Sequence, residues 1–95
     1  MSTLHIEHAI TDLDTWLRAF QSFAAARHTA GVVAERIAQP DDDPYYVVID
    51  LEFESASAAA EFRTFLIQHV WSSPDSSPAL VGLPHTLILH PVHTS

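Results

Sequence analysis

The chain has 95 residues, twelve of them acidic against four basic, for a net charge of −8 with histidines neutral. That balance repels phosphate backbones and anionic lipid surfaces, which are bound through Lys and Arg; here Arg18, Arg27, Arg36 and Arg63 are the whole basic complement, scattered along the chain. With no cysteine, disulfides, thiolate nucleophiles and thiolate metal sites are excluded.

The first element is a strand over residues 3–10, "TLHIEHAI", in which Leu4, Ile6, His8 and Ile10 share one face and His5, Glu7 and Ala9 the other. Thr11 or Asp12 is placed to cap a helix, with Asp14 favourable in its first turn. Leu13, Trp16, Leu17, Phe20, Phe23 and Ala24 then recur at helical spacing, predicting one amphipathic helix of roughly four turns that stops near Gly31. A second strand is expected over 32–39. "PDDDP" is a tight exposed turn, because two prolines and three adjacent aspartates break the pattern. The third strand, 45–53, places Tyr45, Val47, Ile49, Leu51 and Phe53 on one apolar face and Tyr46, Val48, Asp50 and Glu52 on the other.

Ser55 or Ser57 caps a second helix running to about Trp71, on whose stripe Phe62, Leu66, His69 and Val70 fall. After the break "SSPDSSP" and a partly apolar link, "ALVGLP", a fourth strand is expected in "HTLILHPV", residues 85–92. The order β-α-β-β-α-β is the split β-α-β, or ferredoxin-like, arrangement, an α+β fold. It forms a single domain over 1–95, with a four-stranded antiparallel sheet and both helices on one face. The third strand is apolar on both sides near its start, and 47% of the chain is hydrophobic, which is generous for this length. Two helices leave one sheet face bare, so a second copy of the sheet is the economical cover, supplied by a two-fold dimer.

"DLDTWLRAFQSFAAARHTAG", residues 12–31, resembles the first helix of the dimeric α/β-barrel proteins, in particular the small antibiotic-biosynthesis-monooxygenase-like or "cyclase" group. Its D-x-D-x-W, Phe, Arg and Gly positions are Asp12, Asp14, Trp16, Phe20, Arg27 and Gly31. Residues 41–62 and "VGLPHTLILHPV" are similar to later segments of the same group. The resemblance implies a homodimer whose sheets close into a barrel, with a pocket between sheet and helices in each subunit. It includes cofactor-independent oxygenases of polyketide aromatics, haem-degrading oxygenases and proteins of no known activity. A haem-degrading relative uses a second-helix histidine as iron ligand, a nearby aromatic and a first-strand asparagine. Here His69 and Trp71 are the matching positions, whereas the first strand offers Glu7 or His8 and no asparagine.

His69 on an apolar stripe is ordinarily a hydrogen-bonded core residue; in a pocket, a desolvated imidazole there serves as general base. Trp16, Phe20, Phe62, Leu66 and Trp71 are the candidate walls of a pocket for a flat hydrophobic ligand, although aromatics at this spacing also simply fill cores. Arg27 either assists the helix C-terminus or pairs with Glu35 or an anionic ligand. His5 and His8, like His90 and His93, are three apart and so point to opposite faces of a strand. A Zn²⁺ or Fe²⁺ site would therefore need histidines from two strands, His5 or His8 with His85 or His90. His93 belongs to a solvated tail, and Asp41, Asp42 and Asp43 to a solvated turn. No nucleotide, serine-nucleophile or other cofactor motif is present, and the expected cofactor and metal complement is none.

No apolar run approaches ~20 residues and the N-terminus has no secretory pattern, so a soluble cytoplasmic protein is expected. Two functions compete. One is a homodimeric small-molecule-binding protein, monooxygenase-like or cyclase-like if catalytic, with His69 as base. The other is a non-catalytic dimer in which the same residues are only core.

Overall fold

The computed structural model describes residues 1–92; His93, in the expected tail, lies outside the described residues. Four strands, β1 (Ser2–Ile10), β2 (Ala34–Ala38), β3 (Tyr46–Phe53) and β4 (Leu80–Leu89), form one antiparallel sheet in the order β2-β3-β1-β4. Helices α1 (Leu13–Ser22), α2 (Ala24–Ala30) and α3 (Ala56–Phe65) complete the ferredoxin-like α+β fold, and a π-helical turn, Leu66–Val70, extends α3.

Alternation governs the two central strands. Leu4, Ile6, His8 and Ile10 of β1 and Val47, Ile49, Leu51 and Phe53 of β3 are all buried under the helices. Their partners on that layer are Trp16, Ala59, Phe62, Leu66 and Val70. Tyr45 precedes β3 and is 60% exposed, so the apolar face begins at Val47, because the Asp43 carboxylate accepts from the Tyr45 N–H and keeps that residue in the turn. Edge strand β2 is shorter than expected and exposed throughout.

Local chemistry sets the helix ends. Asp12 caps α1 by accepting from the Thr15 N–H, and Ser55 caps α3 by accepting from that of Ala58. Gly31, at φ 95°, closes α2 in the left-handed conformation that a Cβ disfavours. The expected single first helix is instead two, joined at Phe23. The Phe20 carbonyl accepts from the Phe23 N–H and also from Arg27 Nη1, which tightens the chain at the joint.

The fourth strand begins five residues earlier than its sequence pattern implied. Its pairing with β1 shifts register between Glu7 and Ala9, where Gly82, Leu83 and Pro84 stand opposite His8 alone. This is a β-bulge: Gly82 takes φ 72°, Pro84 has no N–H to offer the ladder, and Leu83 is 95% exposed. Among the described residues no helix is long and apolar enough to cross a membrane.

Candidate functional site

Between the sheet and the helices lie two adjoining cavities of about 50 Å³ each. Both are lined by His8, Phe20, Phe23 and Trp71. Trp16 with Ser76 and Ser77 closes the first, and Phe62, Leu66 and Arg27 wall the second. Every residue expected to form pocket walls thus lines one cavity or the other. Two of the lining rings stack, with Trp16 5.0 Å from Phe20 and nearly parallel to it, and Arg27 Cζ sits 3.7 Å over the Phe20 ring.

His69 lines neither cavity. It is exposed, with its ring 5.5 Å from that of Phe65, so the apolar stripe does not carry it inward. The π-helical turn is the physical reason. Its i→i+5 bond, Trp71 N–H to the Leu66 carbonyl at 2.7 Å, makes each residue advance by less than the ~100° of an α-helix. Leu66 and Val70 stay on the core side, and His69 rotates off it.

The imidazole that the cavities do contain is His8. It is 5% exposed, with its ring 6.2 Å from Trp16. Its Nδ1 lies 2.9 Å from the Ala9 carbonyl; a carbonyl only accepts, so Nδ1 carries the proton and Nε2 the lone pair. Nε2 makes no hydrogen bond to any of the described residues. Every fully enclosed side-chain N or O among the described residues has a partner, so Nε2 is open to the cavity surface. Burial pushes the His8 pKa below its ordinary value, against the weaker opposing effect of the Ala9 bond. The group is a neutral, partly desolvated base. The bulge opposite His8 marked the position in the sequence: Gly and Pro in "VGLPH" interrupt a strand beside an imidazole on an otherwise aliphatic face.

A second polar cluster occupies the open face of the sheet. His5 Nδ1 lies 2.7 Å from Asp50 Oδ1 and its Nε2 2.8 Å from Glu7 Oε2; Tyr46 donates to Glu7, and Thr3 donates to Glu52. The Glu7 bond foremost, joined by Asp50, holds the His5 pKa above its ordinary value against partial burial. Glu7 is lowered chiefly by His5 and then by Tyr46, and Tyr46 is raised by Glu7. Across the ladders Arg36 stands opposite Asp50, His85 opposite Glu7 and Leu87 opposite His5. Among the described residues no three His, Asp or Glu side chains, including those of His5, His8, His85 and His90, form a group that could hold an ion.

A stability prediction follows from the sign of these shifts. A histidine whose folded pKa is raised stabilises fully below its unfolded value of ~6.5, and that contribution is lost as pH climbs through the raised value. Glu7 acts oppositely, losing its contribution as pH falls through its lowered pKa. His5→Gln is expected to lower Tm most in the mildly acidic window between these limits, with the gap to wild type narrowing toward alkaline pH. Thermal scans across pH measure it.

No protein-family model matches the chain, and no curated protein matches it in sequence. Solved structures do share its fold. An antibiotic biosynthesis monooxygenase is similar at 12% identity, with TM-score 0.68, covering 98% of this chain and 100% of that one. A dimeric ferredoxin-like protein from an uncultured marine organism is similar at 10% identity and TM-score 0.69, over 99% and 97% of the two chains. A monooxygenase of Streptomyces coelicolor, solved in complex with Nanaomycin D, is similar at 15% identity and TM-score 0.63, over 99% and 89%. What the chain shares with these structures is the ferredoxin-like fold, which one of them adopts as a dimer.

Proposed function

We propose that the chain forms a cytoplasmic homodimer that binds a flat, hydrophobic, acidic small molecule between sheet and helices, with monooxygenase-like chemistry in which His8, not His69, is the general base. The observation that carries this reading is the buried neutral imidazole of His8, its Nε2 lone pair free at a cavity walled by Trp16, Phe20 and Trp71. The S. coelicolor neighbour, solved with the ligand Nanaomycin D, supports a small-molecule site on this fold. A dimer is supported by the marine neighbour and by the apolar side chains left on the open sheet face, Val81, Leu87 and Leu89.

The chemistry needs no group beyond the substrate, dioxygen and the imidazole. Nε2 takes a proton from a carbon activated by an adjoining keto-enol system, leaving a delocalised carbanion. Dioxygen adds to that carbon, and the imidazolium returns the proton to the peroxide oxygen. Loss of water then converts the original CH₂ to a carbonyl, so one oxygen atom enters the product and the other leaves as water.

The cavities themselves favour a second reading. At about 50 Å³ each they exceed the ~30 Å³ share of one liquid water but fall well short of a ligand pocket of ~300 Å³ or more. A planar ligand is admitted only when Phe20 or Trp71 swings aside; if neither does, the protein is a non-catalytic dimer and these rings are core. Native mass spectrometry of freshly purified protein, followed by oxygen uptake with anthrone as a planar keto-enol probe, separates the readings. A dimer that consumes oxygen with anthrone is expected. A dimer without uptake supports the second reading, and a monomer overturns both.

A further inference from the structure

Among the described residues Arg27 is the one arginine that is buried, at 6% exposed, and it lines the cavity. It comes from α2, just beyond the joint at Phe23, and reaches back to Phe20 of α1. Nε donates to Glu35 Oε2 at 2.8 Å, Nη1 donates to the Phe20 carbonyl, and Cζ sits 3.7 Å over the Phe20 ring. A guanidinium has five N–H donors in a fixed plane. Two are used by these bonds; the other three, on Nη1 and Nη2, have no acceptor among the described residues. Since no enclosed side-chain nitrogen among the described residues lacks a partner, Nη2 keeps some accessible surface, and Arg27 is one of the residues lining the cavity shared with His8.

Pairing with Glu35 explains how the charge is tolerated but does not use it up. The Glu35 side chain is 42% exposed, so water screens the carboxylate, whereas the guanidinium is shielded from water. An anion arriving from the cavity side meets the less screened partner. The planar fork is also held in orientation by Glu35 and Phe20 before any ligand comes, which removes an ordering cost from binding.

We infer that Arg27 is an anion-binding position within the His8 cavity, selecting planar aromatic ligands that are anionic at neutral pH, such as carboxylates. The inference rests on the cavity reading above and specifies the ligand's charge. His8 then removes a proton where Arg27 pairs with the negative charge that results, so the base and the charge partner come from opposite layers of the fold, β1 and α2.

The test is calorimetric titration with two probes of one shape, 2-naphthoate and 2-naphthol, at neutral pH. Wild type is expected to bind the carboxylate at least about tenfold tighter than the phenol. Arg27→Met, checked for folding by circular dichroism, is expected to lose that preference and keep its affinity for 2-naphthol. Glu35→Gln, at a half-exposed position, is expected to bind 2-naphthoate several-fold tighter because the competing carboxylate is gone. If Arg27→Met does not fold, Glu35→Gln decides, and unchanged naphthoate affinity there overturns the inference. Binding of 2-naphthol with no preference for the carboxylate in wild type, or a preference that survives in Arg27→Met, overturns the role of Arg27 alone. Failure of both probes to bind wild type overturns the cavity reading and this inference together.

Discussion

Phe53→Ala is expected to cost about 3–5 kcal/mol of folding stability, the range for truncating a buried phenylalanine. Phe53 is wholly buried at the end of β3, its ring 5.9 Å from Phe62, which in turn stacks on Phe65 at 5.7 Å. That chain of rings ties the sheet to α3. Removing its first member leaves a void bounded by β-strand backbone on one side, which relaxes little. Small domains hold only about 5–15 kcal/mol in total, so the variant stands at the edge of folding. In urea the midpoint should fall sharply at an unchanged slope. Tyr45→Ala is the internal control. A straightforward alternation through residues 45–53 makes the two residues equivalent; exposure at Tyr45 makes its truncation worth less than about 0.5 kcal/mol.

That contrast shows what was legible in the sequence. Strands β1 and β3 could be read because a period of two, once one face is aliphatic, fixes the orientation of each side chain. The N-caps could be narrowed to Thr11 or Asp12 and to Ser55 or Ser57, and the stop at Gly31 could be read, because each acts through its own neighbours. Features that depend on distant contacts were not legible. The break in the first helix arises where Arg27 reaches back to the Phe20 carbonyl. The start of β4 was hidden because Gly82 and Pro84 resemble a linker, although β1 pairs with the residues on both sides of them. His69 was placed on the core side by an α-helical period that the π-helical turn does not keep. His8 stood in plain view on the β1 face. Its chemistry emerged only when the Ala9 carbonyl fixed its tautomer and the helices buried it.

His8→Leu is expected to remove nearly all oxygen uptake with anthrone, a loss of about 10²–10⁴-fold, the usual worth of a positioned general base. Stability should change far less. The deleted bond to the Ala9 carbonyl is worth about 1 kcal/mol, and leucine recovers much of it by burying an apolar side chain in place of a polar one. The pH dependence gives a separate check. A base must be unprotonated, so kcat/KM in wild type should rise with pH through the His8 pKa, which lies below the usual ~6.5, and then level off. Folding stability linked to His8 moves in the same direction. The unfolded chain takes up a proton below ~6.5 before the buried imidazole does, so stability declines toward acid, and His8→Leu should flatten that decline. His69→Leu, at an exposed position, should leave both rate and profile unaltered. If His8→Leu keeps the wild-type rate, the base lies elsewhere. If wild type has no rate to lose and His8→Leu still flattens the acid limb, His8 is a buried core histidine and the ring stack around it is packing.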